Sequence, residues 1–196
     1  NAARGTIGPM TRSYLPFIAA AALGLGAWSA TRPDNIPFQK HLLDNGANET
    51  AAIADLNGDG RPDIIAGENW FEAPNWTPHA FRRIPFFNPR TDNYIDNFSD
   101  LPLDVDGDGH VDVVSCSWFQ KKLAWWRNPG RGRGEWKEHP IESGYNVEFC
   151  FLADLNNDGK AQEILPQFGG KGAPLAWYEL RNGGFLRHTV LAEGHG

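Results

Sequence analysis

Hydrophobic positions in this chain come in short bursts, not in long helical faces. Ala51 to Ala54, Leu101 to Leu103 and Phe149 to Ala153 are brief apolar segments, each running into an acidic, glycine-containing loop. Beyond each loop comes a second β-rich run: Ile64-Ile65-Ala66, Val113-Val114-Ser115 and Ile164-Leu165. All are too short for a helix and are bounded by turn residues, so each reads as a buried strand. Aromatic pairs follow, Trp70-Phe71, Trp125-Trp126 and Trp177-Tyr178, two of them leading into the turn signals Glu72-Ala73-Pro74 and Arg127-Asn128-Pro129-Gly130. A closing strand carries an aromatic residue and, three positions on, a histidine: Phe38 to His41, Trp136 to His139 and Phe185 to His188. The copy at Phe81 to Ile84 departs from this pattern. Four strands in a repeat of about fifty residues is the blade of an all-β propeller.

The repeat places blades at 44–86, 94–142 and 145–191 within a propeller region 30–196. Four closing strands against three acidic loops imply that the strand at 38–43 completes the last blade of a ring. At about 50 residues per blade, a ring of at least four needs roughly 200 residues. The chain therefore reads as three blades and a partial fourth from a ring of about seven, with missing blades of the same chain covering the open sheet edges.

Ahead of the repeats, Met10-Thr11-Arg12 is a short basic stretch, and Leu15 to Trp28 is apolar but short for a bilayer span. Residues 1–29 read as upstream residues and a signal peptide cut after Ser29. A retained anchor is the competing reading, against which no basic stop-transfer cluster follows. A secreted protein, extracellular or periplasmic, with no stable membrane span after cleavage is the expectation.

Composition narrows the function. With Asp+Glu at 24 against Lys+Arg at 18, no basic excess exists to neutralise phosphates, so a nucleic-acid partner is not expected. A 41% hydrophobic, 12% aromatic chain is not a disordered tail, and 2 cysteines do not make a disulfide scaffold. Cys116 and Cys150 read either as a bridge or as two buried thiols. Removing residues 1–29 takes Arg4 and Arg12 and no acid, moving the formal charge from -6 to -8.

Most of that acidity lies in the loops, which align without gaps: D-L-N-G-D-G-R-P-D from Asp55, D-V-D-G-D-G-H-V-D from Asp104 and D-L-N-N-D-G-K-A-Q from Asp154. Oxygens at positions 1, 3, 5 and 9, with a carbonyl at position 7, can surround a hard cation, and glycine at position 6 permits the sharp turn. The first site offers Asp55, Asn57, Asp59, the Arg61 carbonyl and Asp63. The second offers Asp104, Asp106, Asp108, the His110 carbonyl and Asp112, and with four carboxylates is expected to bind most tightly. The third offers Asp154, Asn156, Asp158, the Lys160 carbonyl and Gln162, and is expected to be weakest, with Glu163 as an uncertain addition. All-oxygen ligation favours Ca²⁺ over Zn²⁺ or Mg²⁺. Ala66, Ser115 and Leu165 stand where an EF-hand would place its bidentate Glu, which excludes that motif.

These loops, each followed by hydrophobic pairs, resemble FG-GAP/VCBS repeats, the blade type of the integrin alpha-chain propeller and of many secreted bacterial proteins. The resemblance spans about Phe38 to Gly196. It implies structural calcium at up to three sites and is not specific for any activity.

For a ligand, the starts of the inner strands point to Glu49, Asn97, Glu148 and His195 at a central channel. The register of Trp125, Trp126, Trp177 and Tyr178 reads as packing, as does that of His41, His139 and His188. Trp76 and Trp118 fit the repeat less well and read as exposed contacts. An extracellular binding or adhesion module for glycan or protein is the leading reading. A polysaccharide lyase or sugar dehydratase, which the resemblance allows, is the alternative, though the sequence holds no catalytic motif. A purely structural spacer is the third.

Overall fold

The computed structural model describes residues 37–86 and 94–194; the expected signal segment and His195 lie outside them. Residues 37–45 form no strand, and Phe38 is 91% exposed. Each of the three sheets below takes all four of its strands from its own segment, so 38–43 completes none of them.

Strands follow one another from residue 51 to 191. The first sheet is β1 (Ala51–Ala54), β2 (Asp63–Ala66), β3 (Asn69–Glu72) and β4 (Thr77–Ala80). The second is β5 (Ser99–Leu103), β6 (Asp112–Ser117), β7 (Lys122–Arg127) and β8 (Lys137–Ser143). The third is β9 (Asn146–Ala153), β10 (Glu163–Gly169), β11 (Leu175–Arg181) and β12 (Gly184–Leu191). Each sheet is an antiparallel meander, and no helix occurs among the described residues. The fold is all-β, as the short apolar runs predict.

The core lies between sheets because the pleat sends successive side chains to opposite faces. Val113 of β6 packs with Leu56, Ile65, Trp70 and Phe81 of the first sheet and with Trp136. Its neighbour Val114 packs the other way, with Val147, Ile164 and Tyr178 of the third sheet. The joint between the first two sheets is also pinned by polar contacts. Asn128, fully buried, donates from Nδ2 to the Leu56 carbonyl (2.9 Å), and Trp70 Nε1 donates to the Gly132 carbonyl (3.0 Å). Only glycine fits at 132. Its φ is 67°, and a Cβ there would lie 2.7 Å from the Trp70 ring. In the third sheet, Leu155, the counterpart of Leu56 and Val105, is 36% exposed, whereas those two are 1% and 2%.

Sheet register corrects the closing strand of the first unit. Trp70 pairs with His79, Trp125 with His139 and Trp177 with His188. The aromatic-to-histidine spacing of that unit is therefore Trp76 to His79, on β4, and not Phe81 to Ile84. Trp76 fits the repeat after all and is half-buried, with a φ of 57°. Each histidine stacks on its tryptophan, at centroid distances of 4.4, 4.5 and 4.0 Å in chain order. The shared register thus reflects packing.

Candidate metal loops

Each acidic loop connects the first and second strands of its sheet, so all three lie at the same end of their sheets. Position 1 builds the loop. Asp55, Asp104 and Asp154 accept from the amides of Gly60, Gly109 and Gly159 through one carboxylate oxygen (2.8, 3.0 and 3.0 Å) and from amides nearer the loop's start through the other. Those glycines sit at φ of 82°, 85° and 88°, the left-handed region that the tight turn requires. Positions 3 and 5 each accept from the amide two residues on, as Asn57 does from Asp59 and Asp108 from His110 (3.0 and 2.9 Å).

Position 9 is where the sequence alignment and the structure part. Asp63 and Asp112 are fully buried, and both oxygens of each accept backbone amides. Asp63 takes Leu56 N (3.0 Å) and Ala73 N (2.9 Å), and Asp112 takes Val105 N (3.0 Å) and Asn128 N (2.7 Å). These carboxylates tie the loop to the end of the third strand, a clamp in which each oxygen accepts one amide. In the third sheet Glu163 takes that register, pairing across the sheet with Ala153 as Asp112 pairs with Leu103, but it holds the loop alone, accepting Leu155 N (3.0 Å) and Asn156 Nδ2 (3.3 Å). Gln162 sits one residue short of that register, because the third loop is one residue longer and the longer Glu side chain makes up the difference.

In the second loop, carboxylate oxygens of Asp104, Asp106 and Asp108 all lie within 4.8 Å of one another, a group that could hold a metal ion. The donor set is hard oxygen throughout, which suits a cation of the alkaline-earth type. Arg127, at the end of β7, neutralises part of this charge, with Nη2 2.7 Å from Asp108 and Nε against Asp106. Burial, with the charges of Asp106 and Asp108 nearby, pushes the Asp112 carboxyl up to about 6, against the pull of its two amide donors. Arg61 makes a comparable but local pair with Asp59 in the first loop, and the Lys160 carbonyl accepts from Gln162 N (3.1 Å).

Sequence reasoning missed the residue after each aromatic pair. It is Glu72 in the first sheet, Arg127 in the second and Glu179 in the third. Glu72 accepts from Asn57 Nδ2 (3.1 Å) and pairs with His79 (2.8 Å), and Glu179 pairs with His188 (2.7 Å). Both carboxyls are held below the usual range, Glu72 chiefly by His79 and Glu179 chiefly by Arg181. In the second sheet Arg127 cannot play this part, and His139 Nε2 is buried with no hydrogen-bond partner among the described residues. The signal was present in the chain: Asn at loop position 3 accompanies Glu after the aromatic pair, and Asp accompanies Arg.

At the opposite end, the expected channel carboxylate Glu49 meets a residue the sequence did not mark. Tyr94 hydrogen-bonds Glu49, with the charges of Glu148 and Asp96 nearby. Burial and these neighbours push its phenol up, so that it stays a hydrogen-bond donor and not a base. Asn97 is buried and donates to Asp100 (3.0 Å). Trp118 is half-buried, not an open contact. Its ring covers Gly169 so closely that a Cβ there would lie 2.4 Å from it, and its carbonyl accepts from Asn146 Nδ2 (2.7 Å). Cys116 and Cys150 are buried free thiols, with Cys116 Sγ 3.9 Å from the Glu148 carbonyl.

No curated protein and no solved structure matches the chain. Family comparison matches residues 47–73 to the FG-GAP repeat and residues 104–162 to the FG-GAP-like repeat. The first match spans the first acidic loop, and the second runs from the Asp104 loop through the Asp154 loop. With three four-stranded sheets, each carrying its acidic loop between the same two strands, the chain carries FG-GAP repeats in these segments.

Proposed function

We propose that the chain belongs to an extracellular, calcium-stabilised β-propeller that works as a binding or adhesion module for glycan or protein. The observation that carries this reading is the convergence of Asp104, Asp106 and Asp108 on one point of a loop whose backbone is already folded around its first carboxylate. Three carboxylates held this close repel one another, and a bound cation removes that cost, so ion binding adds directly to folding stability. Calcium in this role is a structural ion. Asp104, Asp106 and Asp108 would hold it in the second blade, and Asp55, Asn57 and Asp59, or Asp154, Asn156 and Asp158, in the others. Further blades, in this reading, cover the outer face of the third sheet, where Leu155 is exposed.

The alternative, a lyase or dehydratase, gains a contact between Tyr94 and Glu49, with the charge of Glu148 nearby. A phenol pushed up in pKa that gives its one proton to a carboxylate is suited to accepting a hydrogen bond from a ligand and not to abstracting a proton. That favours binding. Thermal unfolding in EDTA and in added Ca²⁺ tests the calcium reading. Calcium is expected to raise Tm, and identical curves would refute it. Loss of glycan or protein binding in Tyr94→Phe, with Tm unchanged, would tie recognition to this end.

A further inference from the structure

Away from the metal loops, the segment following β4 and the far end of β6 enclose a cleft between the first two blades. It holds about 290 Å³, including the solvent at its open side, and its lining includes Arg82, Asp96, Ser117, Gln120, Lys122 and Trp126. Arg82 is 4% exposed. Its Nε donates to the Gly67 carbonyl (2.8 Å), and Nη2 lies 2.7 Å from Asp100 Oδ1. Nη1 has no hydrogen-bond partner among the described residues, and neither has the hydroxyl of Ser117, which is also 4% exposed. Buried donors left unpaired cost about 1–3 kcal/mol each, so folded chains rarely keep two in one cleft without a use for them.

The acceptors around them are already engaged. Asp96 takes the backbone amides of Trp118, Phe119 and Gln120 (2.8, 3.0 and 2.8 Å). Asp100 is occupied by Arg82 and by Asn97. Two further cations, Arg83 and Lys122, line the cleft. Arg83 is 3.8 Å from Glu68 with its side chain almost fully exposed, and Lys122 is paired with Glu138. What the cleft lacks is an acceptor bearing negative charge. A guanidinium nitrogen and a hydroxyl lining one cleft suit a planar group with two oxygens, whereas a dianion would meet Asp96 and Asp100.

We propose that this inter-blade cleft binds a small carboxylate, one oxygen on Arg82 Nη1 and the other on Ser117. The proposal is independent of the calcium reading, since no loop residue takes part.

The test is a ¹H–¹⁵N NMR titration of the full chain with acetate, with D-glucuronate and with neutral D-glucose. Saturable shifts at Ser115, Ser117, Gln120 and Lys122 with the acids, and none there with glucose, are expected. Equal affinity for the two acids assigns the site to a free carboxylate group, and tighter glucuronate assigns it to an acidic sugar. Arg82 substitutions also strand Asp100, so Ser117→Ala, which removes only an unbonded hydroxyl, is the deciding variant. It is expected to weaken binding by about fivefold or more. No saturable shift with either acid, shifts confined to other residues, or undiminished affinity in Ser117→Ala would overturn the proposal.

Discussion

The middle blade and the two outer blades solve the same electrostatic problem in opposite ways. In the outer blades loop position 3 is Asn, and the residue after the aromatic pair is a Glu that pairs with the stacked histidine. In the middle blade position 3 is Asp106, and Arg127 has left the histidine to neutralise Asp106 and Asp108. The orphaned His139 Nε2 is the cost of that exchange. The negative charge stands on the strand in the outer blades and on the loop in the middle one, where Arg127 adds a positive charge to meet it. Under the calcium reading proposed above, this pair of side chains would set how strongly each blade holds its ion.

The clamp in the first two blades gives the largest predicted effect. Asp112→Ala strands two buried amides and is expected to cost about 2–4 kcal/mol in chemical denaturation, with Asp63→Ala similar. Should Asp112→Ala abolish calcium binding while leaving calcium-free stability intact, position 9 would be a ligand and the clamp reading would fail. The third blade sharpens the point. Glu163→Ala is expected to cost about 1–3 kcal/mol and Gln162→Ala under about 0.5, and the reverse order would restore the gap-free alignment.

The charge exchange itself is testable by a double-mutant cycle in EDTA. Arg127→Glu alone is expected to lower Tm, and adding Asp106→Asn to bring it back, because the pair then matches the outer blades. Additive losses would break the comparison. In calorimetry, Arg127→Ala is expected to tighten calcium binding by about fivefold, since a competing cation leaves the loop. Unchanged affinity would show that Arg127 does not act on the ion.

The smallest effects lie in pH, and they have opposite signs. Folding raises the Asp112 pKa to about 6. The folded chain then binds this proton more tightly than the unfolded one, and in the absence of metal the resulting stability is lost as pH rises from the unfolded value through 6. Glu72 and Glu179 are held low by His79 and Arg181, so their contribution is present above the unfolded pKa and lost as pH falls through the folded one. Carbon-detected NMR on the calcium-free chain should find Asp112 titrating well above both glutamates. A common midpoint would remove the distinction between the blades.

Much of this architecture was legible in the chain. The spacing of Asp55, Asp104 and Asp154, the β-rich runs after them and the aromatic pairs all lie within single repeats, where strand alternation and turn chemistry act over a few residues. Even the exchange at Arg127 was written in register, although its meaning was not. Glu163 was misjudged because a gap-free alignment counts residues, whereas a sheet counts hydrogen-bonded pairs, and the longer loop shifts one against the other. His79 was missed for a related reason: four residues separate β3 from β4, against nine before β8 and two before β12, so counting along the chain misplaces the closing strand.

What the sequence determined by itself was the unit: four strands, an acidic loop and an aromatic-to-histidine stack, each fixed by local pattern. Only the tertiary structure decided how units share their faces. It sent Val113 and Val114 to different cores, joined Glu49 to Tyr94, and brought Arg82 to Asp100 in one cleft with an unpaired Ser117. Such contacts join segments far apart in the chain and depend on the packing of one sheet against the next, which no repeat carries within its own fifty residues or so.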